Sequence, residues 1–421
     1  MKKVRGEITL PGDKSISHRA GLFSALRDKE SYFTNFNYNQ DCTSTLNCLE
    51  KMGIEWERTG QDSIKIKGFH LNDWKKPDKE LYAGNSGTTA RLISGILCNA
   101  PFESILTGDE SLSKRPMKRV IDPLELMGAK ILSNQGLMPL HFQKVKKTKA
   151  IKYKLPVASA QVKSCVLLSG LFAEGETEVI ESKISRDHTE RMIGLNKNYN
   201  SDGTLSVFSS PDIRIPDLSM KIPGDFSSAA FFIVASLLLP GSEIIIKDVS
   251  LNPTRTGLLT VLEKMGAKFE INEKQTKPEP FGDILVTAQN LKNIEIPLDI
   301  VPNIIDEIPV LSILASQSDG TMILHGAGDL RHKESDRISM ITGNFRRMGM
   351  DITEYDDGFE ITGPQNIAKS AQIETKDDHR IAMAFGIANL ITEHEIIPDN
   401  PQCADVSFPG FWSILERIIE D

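Results

Sequence analysis

The chain has 421 residues, 40% hydrophobic and 25% charged, with 49 Lys and Arg against 57 Asp and Glu for a net charge of −8. That length exceeds one typical core and makes two domains the expectation, while the acidic balance argues against a nucleic-acid partner and confines any anion site to a local basic pocket. Five cysteines (Cys42, Cys48, Cys98, Cys165, Cys403) lack Cys-x-x-Cys spacing and read as reduced, buried thiols with no zinc site; without an apolar leader core or a membrane-length run, a cytoplasmic protein is expected.

In chain order, the strand-like run Glu7-Ile8-Thr9-Leu10 leads into Pro11-Gly12-Asp13-Lys14-Ser15-Ile16-Ser17-His18-Arg19. Pro11-Gly12 breaks the strand, and apolar residues at Ile16, Ala20, Phe23 and Leu26 predict a helix over 15–26. A helix start presents free N–H groups and a partial positive charge, to which Lys14 and Arg19 add full charges and Ser15 a hydroxyl, so phosphate or carboxylate binding is the natural chemistry. Taken alone, the stretch reads equally as a capped helix with solvated charges.

Further buried helices are predicted over 86–97, 160–172, 226–239, 307–315 and 378–390. Residues 229–235, Ala-Ala-Phe-Phe-Ile-Val-Ala, are apolar on every face and require burial on all sides. Alternating with these are helices that end in Met-Gly and run into a strand, over 42–53, 117–128, 255–266 and 337–349, with a weaker copy at 188–194. They are charged on one face and should lie outside, each closed by a glycine in a left-handed turn. The pattern implies six units with a period of roughly 70 residues, longer than common solenoid repeats. Lys221-Ile222-Pro223-Gly224-Asp225 echoes Leu10-Pro11-Gly12-Asp13, so the units divide into an N-terminal domain, 12–224, and a C-terminal domain, 1–11 plus 225–421. The stretch 273–280 reads as a surface turn.

Polar residues collect at the helix starts. Gly84-Asn85-Ser86-Gly87-Thr88-Thr89-Ala90-Arg91 allows close backbone approach to a ligand, but its glycine spacing is not that of a dinucleotide site. In Ser113-Lys114-Arg115-Pro116-Met117-Lys118-Arg119, Pro116 is expected at the first helical position, with Arg115 aimed from just outside. Ser159-Ala160-Gln161, followed by Lys163, and Ser185-Arg186-Asp187-His188 open two more helices. Ile305-Asp306-Glu307-Ile308-Pro309 puts two acids at the head of a buried helix, where an Asp is rare unless paired or functional. Arg331-His332-Lys333-Glu334-Ser335-Asp336-Arg337 is densely charged, and in helical register Lys333 and Arg337 would share a face. Asp377-Asp378-His379-Arg380 heads the last apolar helix. Each reads singly as a cap or a solvated charge; their recurrence at equivalent points of a repeated unit predicts convergence on one cleft. At least five cations (Lys14, Arg19, Arg115, Arg337, Arg380) with acids among them suit substrates of several negative charges, with carboxylates as proton shuttles.

Pro-Gly-Asp-Lys-Ser-Ile-Ser-His-Arg, Gly-Asn-Ser-Gly-Thr-Thr-Ala-Arg, Lys-Glu-Ser-Asp-Arg and Asp-His-Arg, taken together and in order over the whole chain, resemble the 3-phosphoshikimate 1-carboxyvinyltransferase (EPSP synthase) family. The resemblance implies an α/β fold of two inside-out, barrel-like domains, each of three repeated units with buried helices, joined by two crossover segments and closing over the substrates. It implies transfer of the enolpyruvyl group of phosphoenolpyruvate to the 5-hydroxyl of shikimate 3-phosphate, on the route to chorismate and aromatic amino acids, with no cofactor or metal and in a monomer. By motif, Lys14, Ser15, Arg19, Ser159, Gln161, Ser185, Asp306 and Lys333 would contact shikimate 3-phosphate, with Arg186 where part of the family has a further cation. Lys14, Gly87, Arg115, Gln161, Arg337 and Arg380 would hold phosphoenolpyruvate, with Asn85 and Thr88 shaping that wall. Asp306 would accept the hydroxyl proton, Glu334 would exchange a proton at the methylene, and Lys14 would complete the catalytic set. Gly87 carries no methyl group, so the pocket is expected to admit glyphosate. Some members have a Lys in the segment equivalent to 403–408, where this chain reads Cys-Ala-Asp-Val-Ser-Phe, and His332 stands where an apolar or small residue is common. The alternatives are a sister transferase acting on UDP-N-acetylglucosamine, which uses a loop Cys near the position of Arg115 that this chain lacks, and a non-catalytic binder of phosphorylated metabolites, which need not keep both Asp306 and Glu334.

Overall fold

A computed structural model describes residues 2–420. The backbone forms two compact units, residues 12–222 and residues 2–11 with 223–420. The second passage falls just before Pro223, ahead of the 224/225 boundary read from the sequence, because Gly224 pairs with Val249 and its N–H donates to the Asp248 carbonyl.

In the N-terminal unit one plan is used three times: a short strand, an inner helix, a parallel strand, an outer helix and an antiparallel hairpin. Leu81–Tyr82, helix Gly87–Leu97, strand Ser104–Thr107, helix Lys118–Leu126 and the hairpin Lys130–Asn134/Leu137–Gln143 make the middle copy. Lys152–Lys154, helix Ala160–Gly170, Thr177–Glu181, helix His188–Ile193 and Lys197–Tyr199/Leu205–Ser209 make the third. The first copy, helix Lys14–Ala25 onward, takes its leading strand from the far end of the unit, since Met220–Lys221 pairs parallel with Glu30–Thr34. The strand that precedes this helix in sequence, Lys3–Thr9, instead pairs parallel with Glu243–Ser250 of the C-terminal unit. The two units have thus exchanged leading strands. The exchange passes through Gly12, where a Cβ would overlap the Asn35 carbonyl.

The C-terminal unit repeats the plan with attrition. Its first sheet has five strands, the second keeps Gly320–Leu324, Gly358–Gly363 and Thr353–Tyr355, and the third is the pair Ala371–Ile373 and Ile396–Pro398. A sixth outer helix, Phe411–Ile418, carries no Met-Gly signature. It needs no left-handed ending because the chain continues directly into Ile419–Glu420, which pairs with Lys3–Thr9. The five glycines singled out in the sequence, Gly53, Gly128, Gly194, Gly266 and Gly349, all have positive φ.

The inner helices are buried as their composition requires: every residue from Phe226 to Leu237 is buried, and this helix packs on its partners Ile308–Gln317 and His379–Ala388. Each unit has its own continuous apolar core. Outer helices bury one stripe, as in Gln40–Lys51 with Cys42, Leu46 and Leu49 inward. All five cysteines are buried and free. Among the described residues no helix is long and apolar enough to cross a membrane.

Three local readings are corrected. Residues 273–275 lie in the exposed strand Glu270–Gln275, an edge strand held by backbone pairing to Phe281–Thr287 and therefore tolerant of a polar sequence without alternation. The helix after Arg115 starts at Lys118, so Pro116 lies ahead of it, and Arg115 sits in the link from the short helix Glu110–Ser113. Lys333 has an extended backbone between a 3-10 turn and helix Arg337–Arg347, so it does not share a helical face with Arg337.

Candidate active site

In the N-terminal unit most candidate residues sit in or near the first turns of the three inner helices, while Arg115, Ser185 and Arg186 lie on segments leading to outer helices. Asp13 caps the first, its side chain accepting from the Ile16 N–H at 2.9 Å. The next residue, Lys14, is half-buried and its ammonium lies 3.0 Å from Asp41 Oδ2. Arg19, one turn further on, is 3% exposed. Its Nε donates to Thr189 Oγ1 at 2.8 Å, its Nη2 to Ser164 Oγ at 2.8 Å and its Nη1 to the Ser15 carbonyl at 3.0 Å. The guanidinium is therefore aimed by hydroxyls from another repeat.

Ser86 caps the second helix, accepting from the Thr89 N–H. A Cβ on Gly87 would lie 2.8 Å from Arg91 Nη1 and 3.6 Å from Arg115 Nη1, so the absent side chain is what lets two guanidinium groups approach the backbone. Arg115 donates to Asn85 Oδ1 at 2.5 Å, and Asn85 donates in turn to Asp109 at 2.9 Å. Gln161, from the third helix, accepts from Arg91 at 2.6 Å and donates to Thr88 at 2.9 Å. Ser159 is that helix's cap, accepting from the Val162 N–H at 3.4 Å. Ser185 is buried and its hydroxyl donates to Glu181. Arg186 beside it is half-buried.

His18, between these cations, is 1% exposed; its Nδ1 shares a 2.7 Å bond with Thr45 Oγ1, and its Nε2 has no hydrogen-bond partner among the described residues. Burial pushes this imidazole down to about 3; Lys14 and Arg19 act in the same sense and Asp41 against it. Between the ordinary value of 6.5 and about 3 the unfolded chain takes up a proton at His18 that the fold refuses, so stability is full above pH 6.5 and falls by about 1.4 kcal/mol per pH unit below it. Urea unfolding at pH 7 and pH 5 should show the parent chain losing about 2 kcal/mol more than His18→Gln over that interval. Equal losses would place His18 outside the linkage.

In the C-terminal unit the candidate residues include acids. Arg337, the first residue of helix Arg337–Arg347, is 1% exposed and is the hub. Its Nε donates to Asp378 Oδ2 at 2.8 Å, its Nη2 to Glu334 Oε2 at 2.6 Å and its Nη1 to Asp306 Oδ1 at 3.2 Å. Arg380 reaches Asp306 from another side, with Nη1 donating to the Asp306 carbonyl at 3.1 Å and Nε 3.6 Å from Oδ1. Burial works against the charge on Arg337, but Asp378, Glu334 and Asp306 outweigh it and raise its pKa. Burial likewise works against the Asp378 carboxylate; Arg337 overrides it and holds that pKa below the ordinary value. Asp306 lies in the turn between Val301–Ile304 and Ile308–Gln317, not within the buried helix, and its side chain is 14% exposed. Glu307, its neighbour, is the deeply buried acid of the pair and accepts from Ser227. Lys333 is half-buried, on the segment leading to Glu334.

Sequence reasoning named candidate site residues but not the groups that bond to them. Asp378 was visible only as a helix-start acid, whereas it both caps its helix and binds a guanidinium 41 positions away. Asp41, Thr189, Ser164 and Asp109 carried no local signal.

The N-terminal unit carries guanidinium groups near helix N-termini, the C-terminal unit carries half-buried carboxylates on a guanidinium hub, and each set is chemistry suited to an enzyme of small, anionic metabolites on a repeated α/β plan. Comparison narrows the class. The family model described as EPSP synthase (3-phosphoshikimate 1-carboxyvinyltransferase) matches residues 1–415. Curated proteins named 3-phosphoshikimate 1-carboxyvinyltransferase from Petrotoga mobilis and Bacillus subtilis are 45% and 43% identical, each over 99% of this chain and 98% of their own length. A solved EPSP synthase from Acinetobacter baumannii superimposes with a TM-score of 0.86 at 40% identity, over 100% of this chain and 97% of that one. The chain belongs to the EPSP synthase family.

Proposed function

We propose that the chain transfers the carboxyvinyl group of phosphoenolpyruvate to the 5-hydroxyl of shikimate 3-phosphate, releasing phosphate. Membership of the family supports the reaction. The observation that carries the assignment of roles is that two half-buried acids, Asp306 and Glu334, sit on the single guanidinium of Arg337. A non-catalytic binder of anions has no use for carboxylates beside its cations; a proton-transferring enzyme does.

In this reading Glu334 delivers a proton to the methylene of phosphoenolpyruvate, and the adjacent carbon becomes cationic. Asp306 takes the proton of the 5-hydroxyl as its oxygen adds there, forming a tetrahedral ketal phosphate. Phosphate then leaves and Glu334 takes back one methyl proton, which restores the double bond. Lys14, Ser15, Arg19, Ser159, Gln161, Ser185 and Lys333 hold shikimate 3-phosphate, while Gly87, Arg115, Arg337 and Arg380, with Lys14 and Gln161, hold phosphoenolpyruvate. Arg337 is engaged by three carboxylates, so its contact with phosphoenolpyruvate requires Glu334 or Asp306 to turn toward its own reacting atom. Positioning between fixed donors supplies much of the remaining acceleration. The five buried, free thiols suit a reducing cytoplasm, and we assign the active species as a monomer.

Phosphate release measured with both substrates, with each alone, and with UDP-N-acetylglucosamine in place of shikimate 3-phosphate tests the proposal. Release is expected only with shikimate 3-phosphate and phosphoenolpyruvate together; release with the nucleotide sugar, or none with the proposed pair, would overturn it.

A further inference from the structure

Directly behind Ser185, the N-terminal unit buries a charged cluster to which the reaction assigns no step. Lys163 lies in the first turns of inner helix Ala160–Gly170, with its side chain 0% exposed. Its ammonium is 2.7 Å from Glu181 Oε2 and 2.7 Å from Glu190 Oε1, both carboxylates also 0% exposed, and it donates to the Ser185 carbonyl at 3.3 Å. Glu181 ends strand Thr177–Glu181 and Glu190 lies in outer helix His188–Ile193, so one ammonium ties together three elements of a single repeat.

The fold itself does not call for this cluster. Lys163 is the fourth residue after the cap Ser159; the same place after the other inner-helix caps holds Ser17, Ala90, Ala229, Leu311 and Ala382. Five repeats pack with a small or apolar residue there. Burying charges where apolar packing serves elsewhere is costly and weak evidence of a role in stability.

What distinguishes the third repeat is the segment that the two glutamates bracket. Ser185 is held at three atoms: its hydroxyl and its N–H both donate to Glu181, and its carbonyl accepts from Lys163. Thr189, adjacent to Glu190, shares a 2.7 Å bond with Ser164, adjacent to Lys163, and those two hydroxyls accept the Nε and Nη2 bonds of Arg19. The cluster has one cation for two carboxylates, and burial raises the Glu181 pKa against the pull of Lys163.

We infer that Lys163 is a positioning residue, which by clamping Glu181 and Glu190 fixes Ser185 and, through Thr189 and Ser164, the Arg19 guanidinium, in the arrangement that receives shikimate 3-phosphate. The inference rests on the assignment of Ser185 and Arg19 to that substrate. It locates the effect in affinity for one substrate and not in the chemical step.

The test is calorimetric titration of shikimate 3-phosphate into the full-length parent, Lys163→Met, Lys163→Arg and Glu190→Gln, with steady-state kinetics alongside. Lys163→Met should raise the Kd and KM for shikimate 3-phosphate by about tenfold or more, as loosened positioning groups do, with kcat at saturation within about threefold. Lys163→Arg should recover most of the affinity, and Glu190→Gln, which keeps a buried Lys–Glu pair, should fold and show the same split in smaller measure. A Kd within about twofold of the parent in Lys163→Met would overturn the inference, and so would an unchanged Kd in Glu190→Gln if the Met variant does not fold. A parent chain that does not bind shikimate 3-phosphate at all would instead bring down the substrate assignment on which the inference stands.

Discussion

Asp306→Asn should lower kcat by about 10³-fold while leaving shikimate 3-phosphate bound with a Kd within a few-fold of the parent. The substitution keeps the shape of the side chain and one carbonyl-type oxygen. The Arg337 bond at 3.2 Å and the Arg380 bond to the Asp306 backbone at 3.1 Å can therefore persist. What is lost is the capacity to take a proton. Because Asp306 is 14% exposed and sits in a turn outside the helical core, the melting temperature should move little, which separates chemistry from folding. Removing its charge from between Arg337 and Arg380 also leaves both guanidinium groups less neutralised, so binding of phosphoenolpyruvate should hold or tighten. Stopped-assay kcat and calorimetric Kd on one preparation check both halves. A variant within about tenfold of the parent kcat would take the proton-acceptor role away from Asp306.

The sequence carried the repeat because local chemistry writes it. An all-apolar run such as 229–235 has only one place to go, and a Met-Gly ending needs a left-handed residue wherever a hairpin follows. The same logic explains the failure at the sixth outer helix, which runs straight into a strand and so lacks the glycine. The strand exchange was hinted at by two Pro-Gly-Asp segments, but only pairing could show that Lys3–Thr9 lies beside Glu243–Ser250 and Met220–Lys221 beside Glu30–Thr34. At the candidate site, individual cations and acids were legible and their partners were not. Spacing suggested Lys333 for the face of Arg337, while its buried partner is Asp378, brought in by the packing of one helix start against another. Lys163 stood in the sequence as one more polar residue after Ser159-Ala160-Gln161; nothing nearby marks it as fully buried between two glutamates. Short-range pattern fixes which helix ends are polar, and only the folded chain decides which charge faces which.

Asp378→Ala should destabilise the C-terminal unit by about 3–5 kcal/mol, with the apparent melting temperature falling by about 6–12 °C. Asp378 is 0% exposed and serves three neighbours: it caps helix His379–Ala388 through the Arg380 N–H at 3.0 Å, accepts from the Ser335 hydroxyl at 3.0 Å and takes the Arg337 Nε bond at 2.8 Å. Ala removes the cap, worth about 1 kcal/mol, and strips the buried guanidinium of its one fully enclosed carboxylate. Glu334 and Asp306 still face Arg337, but their side chains are 29% and 14% exposed, and water screens what they offer. Asp378→Asn can keep the cap at its one oxygen but sets an amide NH2 where Oδ2 accepts from Ser335 and Arg337 Nε, so its deficit reads the charge together with those two bonds. The sign of the pH dependence follows from the direction of the shift. Arg337 holds the Asp378 pKa below its ordinary value of 3.8, so the stability it contributes is complete above that pH and disappears as the pH falls through the depressed native value. The gap between parent and Asp378→Asn, measured by thermal melting, should therefore be constant from pH 7 to pH 5 and close only in strong acid. A gap that already closes near pH 5 would mean that Arg337 does not hold the Asp378 pKa below its ordinary value and that the pair does not hold the unit together electrostatically.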